Sequence, residues 1–222
     1  MLSILRKGAQ VLRGVAGAIP ARRDVAPLAS MPDVFSFAHT RTAFVTQKKL
    51  YEYVKTRMGT SYPRHFEDDD FIASMNVAKM HVYAAGLMDM TMFAVANAAV
   101  REAFTDDGRS ALARRCFALG LDANDDGDVV PANRAQWCED LEARMTGAVW
   151  RNTGANEHHF QASPKALVAW APIADELKRY DADIVENSIR FAWQAVRSEF
   201  FERIDADSIA NSRHPAQEDA TF

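Results

Sequence analysis

Apolar residues recur at steps of three and four along most of this chain, the period of an α-helix. The first run is Leu2, Leu5, Ala9, Leu12, Ala16 and Ile19, with Arg6 and Arg13 on another face and Pro20 closing the run. Segment 31–40 reads as a linker. Phe44, Gln47, Tyr51, Val54 and Met58 then share one face of an amphipathic helix, which Gly59 and Pro63 break. Glu67 to Asp70 form an acidic run, read as a helix N-terminus where carboxylates meet free N–H groups, with a cation site as the rival.

Segment 71–104 is the most apolar of the chain. Its stretch 80–100 is long enough to span a bilayer, but His81, Asp89 and Asn97 interrupt it. An Asp at mid-helix costs about 3 kcal/mol on insertion scales. A central helix buried in a bundle or against partners is therefore expected, and a membrane span is the rival. Met75, Met80, Met88, Met90 and Met92 read as adaptable core filling.

Residues 105–110 read as a turn, with Gly108 available for positive φ, and a helix restarting at Ser110. Ser163 and Pro164 are placed to start another helix, as N-cap and first-turn residue, and Pro172 to break it. The last helix, 182–204, carries the stripe Val185, Ile189, Ala192, Val196, Phe200 and Ile204, with Glu186–Arg190 and Glu199–Arg203 as i,i+4 pairs. From Asp207 the chain is polar. No strand alternation persists, and there is no glycine-rich phosphate loop and no repeat. The expectation is an all-α protein: an irregular helical bundle of about six helices with a long central apolar helix, divided as 1–30, 31–206 and 207–222.

The 222 residues are 48% hydrophobic and 25% charged, as in globular domains. Lys plus Arg number 26 and Asp plus Glu 30, a net charge of −4, which argues against nucleic acid as a partner. The charge is uneven. Residues 1–30 hold five bases and one acid, and the rest carries 21 bases and 29 acids. An Arg-rich, acid-poor amphipathic start fits a mitochondrial targeting helix, with a membrane-surface helix as one alternative and an ordinary helix as the other. Cys116 and Cys138 lack the spacing of a zinc site and read as inert thiols.

One loop carries a chemical pattern. Residues 122–133 resemble an EF-hand calcium loop. Asp122, Asn124 and Asp126 stand at positions one, three and five, Gly127 at the sharp turn, and the Asp128 carbonyl at seven. Position twelve is Asn133, where the bidentate Glu would stand, so the loop reads either as a calcium site or as an Asx-rich helix–helix turn. Glu157, His158 and His159 are adjacent, a poor arrangement for converging on a metal.

The helical order also has a relative. FIASMNVAKMHVYAAGL, after a helix ending YEYVKTRM, resembles the central helix of the ubiquinol–cytochrome c chaperone family, which carries a Leu-His-Val-Trp run; here it is Met80-His81-Val82-Tyr83. IRFAWQAVRSEFFERID is similar to that family's terminal helix, and the resemblance covers 50–204 with gaps. It implies a helical, non-enzymatic protein at the mitochondrial inner membrane, of the kind that assists cytochrome b during assembly of the bc1 complex.

The reading that follows is a mitochondrial helical interaction protein without enzymatic activity. It would be an accessory subunit or assembly factor of an inner-membrane respiratory-chain or ATP synthase complex, with the subunits of that complex as partners and with membrane-surface contact. Phe71, Met88, Phe93, Trp193 and Phe200 are candidate docking anchors, each with internal core as the alternative. The rivals are a calcium-responsive module built on 122–133 and an enzyme whose polar cleft contains His81 or Asp89.

Overall fold

The computed structural model describes residues 26–100, 104–125, 130–153 and 160–212. Of the targeting segment expected over 1–30, residues 1–25 therefore lie outside the described residues, as do Asp126, Asp128 and the 157–159 cluster. All regular elements among the described residues are helical: α1 Met31–Met58, α2 Tyr62–His65, α3 Asp69–Ala98, α4 Asp106–Ala123, α5 Pro131–Thr146, α6 Trp150–Thr153, α7 Ala162–Trp170, α8 Asp175–Arg203 and α9 Ala206–Asn211. The all-α expectation holds. Short helices at turns and at the C-terminal end raise the number above six.

Helix starts follow capping chemistry. Asp68 accepts from the N–H groups of Asp70 and Phe71, so the acidic run is a cap. Thr105 accepts from the Gly108 N–H, and α4 begins at Asp106; residues 106–110 are helical rather than a turn. The linker expected over 31–40 is likewise helix. Ser30 accepts from the Asp33 N–H and Pro32 stands in the first turn, a start signal that propagates into the apolar face of Val34, Phe35, Phe37 and Ala38. Asp205 caps α9, which buries Ile209 and Ala210, so the first residues of the polar tail are folded. Segment 26–28, inside the leader-like stretch, also belongs to the body. Leu28 is buried and bridges Ile204, exchanging backbone hydrogen bonds with Arg203 and Asp205.

The core is built around α3. Its second half, from Val82 onward, is buried on nearly every side by α1, α4 and α7, and α8 closes over α1 and α7. Met75, Met80, Met88, Met90 and Met92 are all buried, as core filling requires. The protein's own helices therefore cover this apolar surface, and no described helix is long and apolar enough to cross a membrane.

Glycine sets the closest helix approach. A Cβ on Gly86 would lie 2.7 Å from the Thr46 methyl and 3.1 Å from that of Thr42, both on α1. Both side chains are β-branched and fully buried, so neither yields easily. Gly86→Val is expected to cost about 1–3 kcal/mol by overpacking, read as a lower urea midpoint at unchanged m-value.

Candidate docking surface

Helix α8 is apolar on two opposite faces. Val185, Ile189, Trp193, Val196 and Phe200 point inward and are buried. Ala192 and Ile204 of the expected stripe are only half-buried, and Trp193 takes the central place instead. The outward face carries Leu177, Tyr180, Ile184 and Phe191, at steps of three, four and seven. At 100° per residue these four fall within about 60° of one another, nearly opposite the buried stripe. Tyr180 is 80% exposed, Ile184 72% and Phe191 68%. Isolated exposed hydrophobics need no explanation, but an aligned row on one helix does.

The helix presenting this row is held firmly from beneath. Phe200 meets Phe37 of α1 edge-on at 5.6 Å and Phe93 of α3 at 5.2 Å. Arg41 on α1 grips both oxygens of Glu199, at 2.9 and 2.6 Å, and Arg203 adds a third contact at 3.0 Å. Burial pushes the Glu199 carboxyl up, but the two guanidinium groups hold it below the usual range. Arg57 pairs with Asp181 at the other end of α8.

The polar centre of the bundle is Asp89. Its Oδ1 accepts from Arg144 Nη1 at 2.6 Å and from the Ala162 N–H at 3.3 Å. Its Oδ2 accepts from the Ser163 N–H at 2.8 Å and from Ser163 Oγ at 2.7 Å, and Ser163 Oγ accepts in turn from Trp193 Nε1 at 2.9 Å. Burial pushes the Asp89 carboxyl up, while Arg144 and Ser163 draw it down. A carboxylate on α3 thus caps the free N–H groups of α7 and, through Ser163, orients the central tryptophan of α8. Ser163 is inside the first turn of α7 rather than at the N-cap, because Asp89 supplies the acceptor a local cap would. Pro172 follows the end of α7 as expected.

His81 lies between two indoles. It stacks on Trp170 at 3.4 Å, with 3° between the ring planes, and meets Trp137 edge-on. Trp137 Nε1 donates to His81 Nδ1 at 3.4 Å, which selects the neutral ring with its proton on Nε2. Burial lowers the His81 pKa. Folding with a depressed His pKa contributes stability that is full above about pH 6.5 and is lost as pH falls through the folded value. His39 is lowered by burial in the same sense. The fall in stability from pH 7 to pH 5 should therefore be shallower in His81→Gln than in the wild type, with the His39 share remaining; urea midpoints across that range test this.

The calcium-loop residues are differently engaged. Asp122 lies in the last turn of α4, paired with Arg134 at 2.6 Å. Asn124 turns its amide inward, donating to the Tyr83 hydroxyl at 2.6 Å and to the Gly120 carbonyl at 3.1 Å. Asn133 is in the first turn of α5. Among the described residues no group of three His, Cys, Asp or Glu side chains could hold a metal ion. Cys116 is buried beside Thr91, and burial pushes its thiol up to about 12; Cys138 is exposed.

Of the expected anchors, Met88, Phe93, Trp193 and Phe200 are interior, and Phe71 packs half-buried against His65 and Phe66. They hold the bundle together rather than facing out. The row at 177, 180, 184 and 191 was legible as helical spacing, but a second stripe on the same helix, 185 to 200, has the same period. No protein-family model matches this chain, and no curated protein or solved structure matches it.

Proposed function

We propose that this chain is a non-enzymatic mitochondrial interaction protein, an accessory subunit or assembly factor that docks through the outer face of α8 onto an inner-membrane respiratory-chain or ATP synthase complex. The observation carrying the docking role is the aligned row of Leu177, Tyr180, Ile184 and Phe191 on a helix whose opposite face is locked into the core. From Leu177 to Phe191 the row runs about 21 Å at 1.5 Å per residue, the length of four helical turns. Its spacing suits an apolar helix of a partner subunit packed alongside.

Two features support the rest. The Arg-rich, acid-poor start fits an import signal. Asp89, the most chemically suggestive side chain of the core, has both oxygens occupied by structural donors and is wholly buried. It organises helices rather than meeting a substrate.

Native electrophoresis of mild-detergent mitochondrial extracts, with mass spectrometry of each slice, tests the reading. Stoichiometric migration with one mature complex is expected of a subunit. Small, substoichiometric species containing a newly made membrane subunit are expected of an assembly factor. Migration alone as a monomer overturns both.

A further inference from the structure

A groove of about 400 Å³ opens between α7 and α8, beside the docking row. Its cations are Lys165, Arg190 and Arg197, its aromatic walls are Phe160, Phe191 and Trp193, and no acid lines it among the described residues. This is unusual for a chain that carries 21 bases against 29 acids outside its first thirty residues. The three cations are not equivalent. Arg190 is tied to Glu186 and Asn187 on its own helix. Arg197 is held by packing, its guanidinium 5.6 Å above the Phe93 ring. Its Nε is closed off from solvent with no acceptor, and it pairs with no carboxylate among the described residues. Among the described residues no acid therefore compensates its charge. Lys165 stands exposed on α7 with no acid partner among the described residues.

Two cations without an acid partner among the described residues flank aromatic walls in a concavity of the size that small ligands occupy. We infer that this groove binds a small organic anion, with its carboxylate or phosphate between Lys165 and Arg197 and its apolar body against Phe160 and Phe191. The amides of Gln161, Asn187 and Gln194 on the rim would orient the anion. The groove shares Phe191 with the outer row of α8, so a partner helix seated there would border the site, and the site needs no metal.

Calorimetry of the full chain with phenyl phosphate, benzoate, inorganic phosphate and benzyl alcohol tests the assignment. Phenyl phosphate and benzoate are expected to bind, more weakly as salt is raised. Inorganic phosphate lacks the apolar body and benzyl alcohol the charge, so both should bind at least roughly tenfold more weakly. Arg197→Gln is expected to reduce phenyl phosphate affinity by roughly tenfold or more, and Lys165→Gln by a smaller factor. Because Arg197 also packs on Phe93, circular dichroism must show that variant folded; exposed Lys165 gives an independent reading if it does not. Three outcomes overturn the inference: no heat with either aromatic anion at millimolar concentration, phenyl phosphate affinity unchanged in folded Arg197→Gln and in Lys165→Gln, or benzyl alcohol binding as well as benzoate.

Discussion

Asp89→Ala is expected to destabilise the protein by about 3–5 kcal/mol, the largest effect of any single polar substitution in the bundle. The cost is not that of one ion pair. Removing the carboxylate takes from Arg144 its contact with Asp89 and leaves the N–H groups of Ala162 and Ser163 without their acceptor. It also frees Ser163 Oγ, which anchors the Trp193 indole. Three helices lose their common point at once. Asp89→Asn keeps an acceptor and should cost distinctly less. Urea unfolding of both variants, together with Arg144→Ala and the double variant, checks this. The cycle should show coupling, because Arg144 and Asp89 are in direct contact. Additive effects of Asp89→Ala and Arg144→Ala would show that the pair contributes nothing as a pair.

The second large effect is on association. Ile184→Asp combined with Phe191→Asp places two carboxylates in the middle of the outer row, where a partner helix would have to desolvate them. Folding should hardly notice, since both positions face away from the core and such surface changes stay within about 0.5 kcal/mol. Complex formation should be abolished: the folded variant is expected to leave the high-mass band in native gels and run alone. Val185→Asp, one residue away, is the opposite control, because it buries its charge against the core and should unfold the chain. If the double variant still migrates with the complex, the outer face of α8 is not the docking surface.

Much of this fold was legible because helices are local. The period of three and four located α3 and α8, the Asp68 cap, and the stop at Pro172, since each depends on residues within one turn of each other. The start of α1 was missed although Ser30 and Pro32 announce it. The apolar run they open, Val34 to Ala38, is short and reads as a linker without the helices that bury it. Asp89 was legible as an obstacle to a membrane span, but its role was not. Its partners lie 55 to 74 positions away in sequence, and no periodicity carries that information.

The sequence by itself determined the positions of α3 and α8, the Asp68 cap, the leader-like charge asymmetry and the presence of an apolar central segment. All of these rest on near-neighbour interactions along one chain. Only the tertiary structure decided which apolar stripe faces inward. Helix α8 has two stripes of the same period, and choosing between them requires knowing that Trp193 reaches Ser163, that Phe200 fits between Phe37 and Phe93, and that Glu199 meets Arg41. The inner stripe fills that space, and Tyr180, Ile184 and Phe191 are left outside because the core holds no matching volume for them.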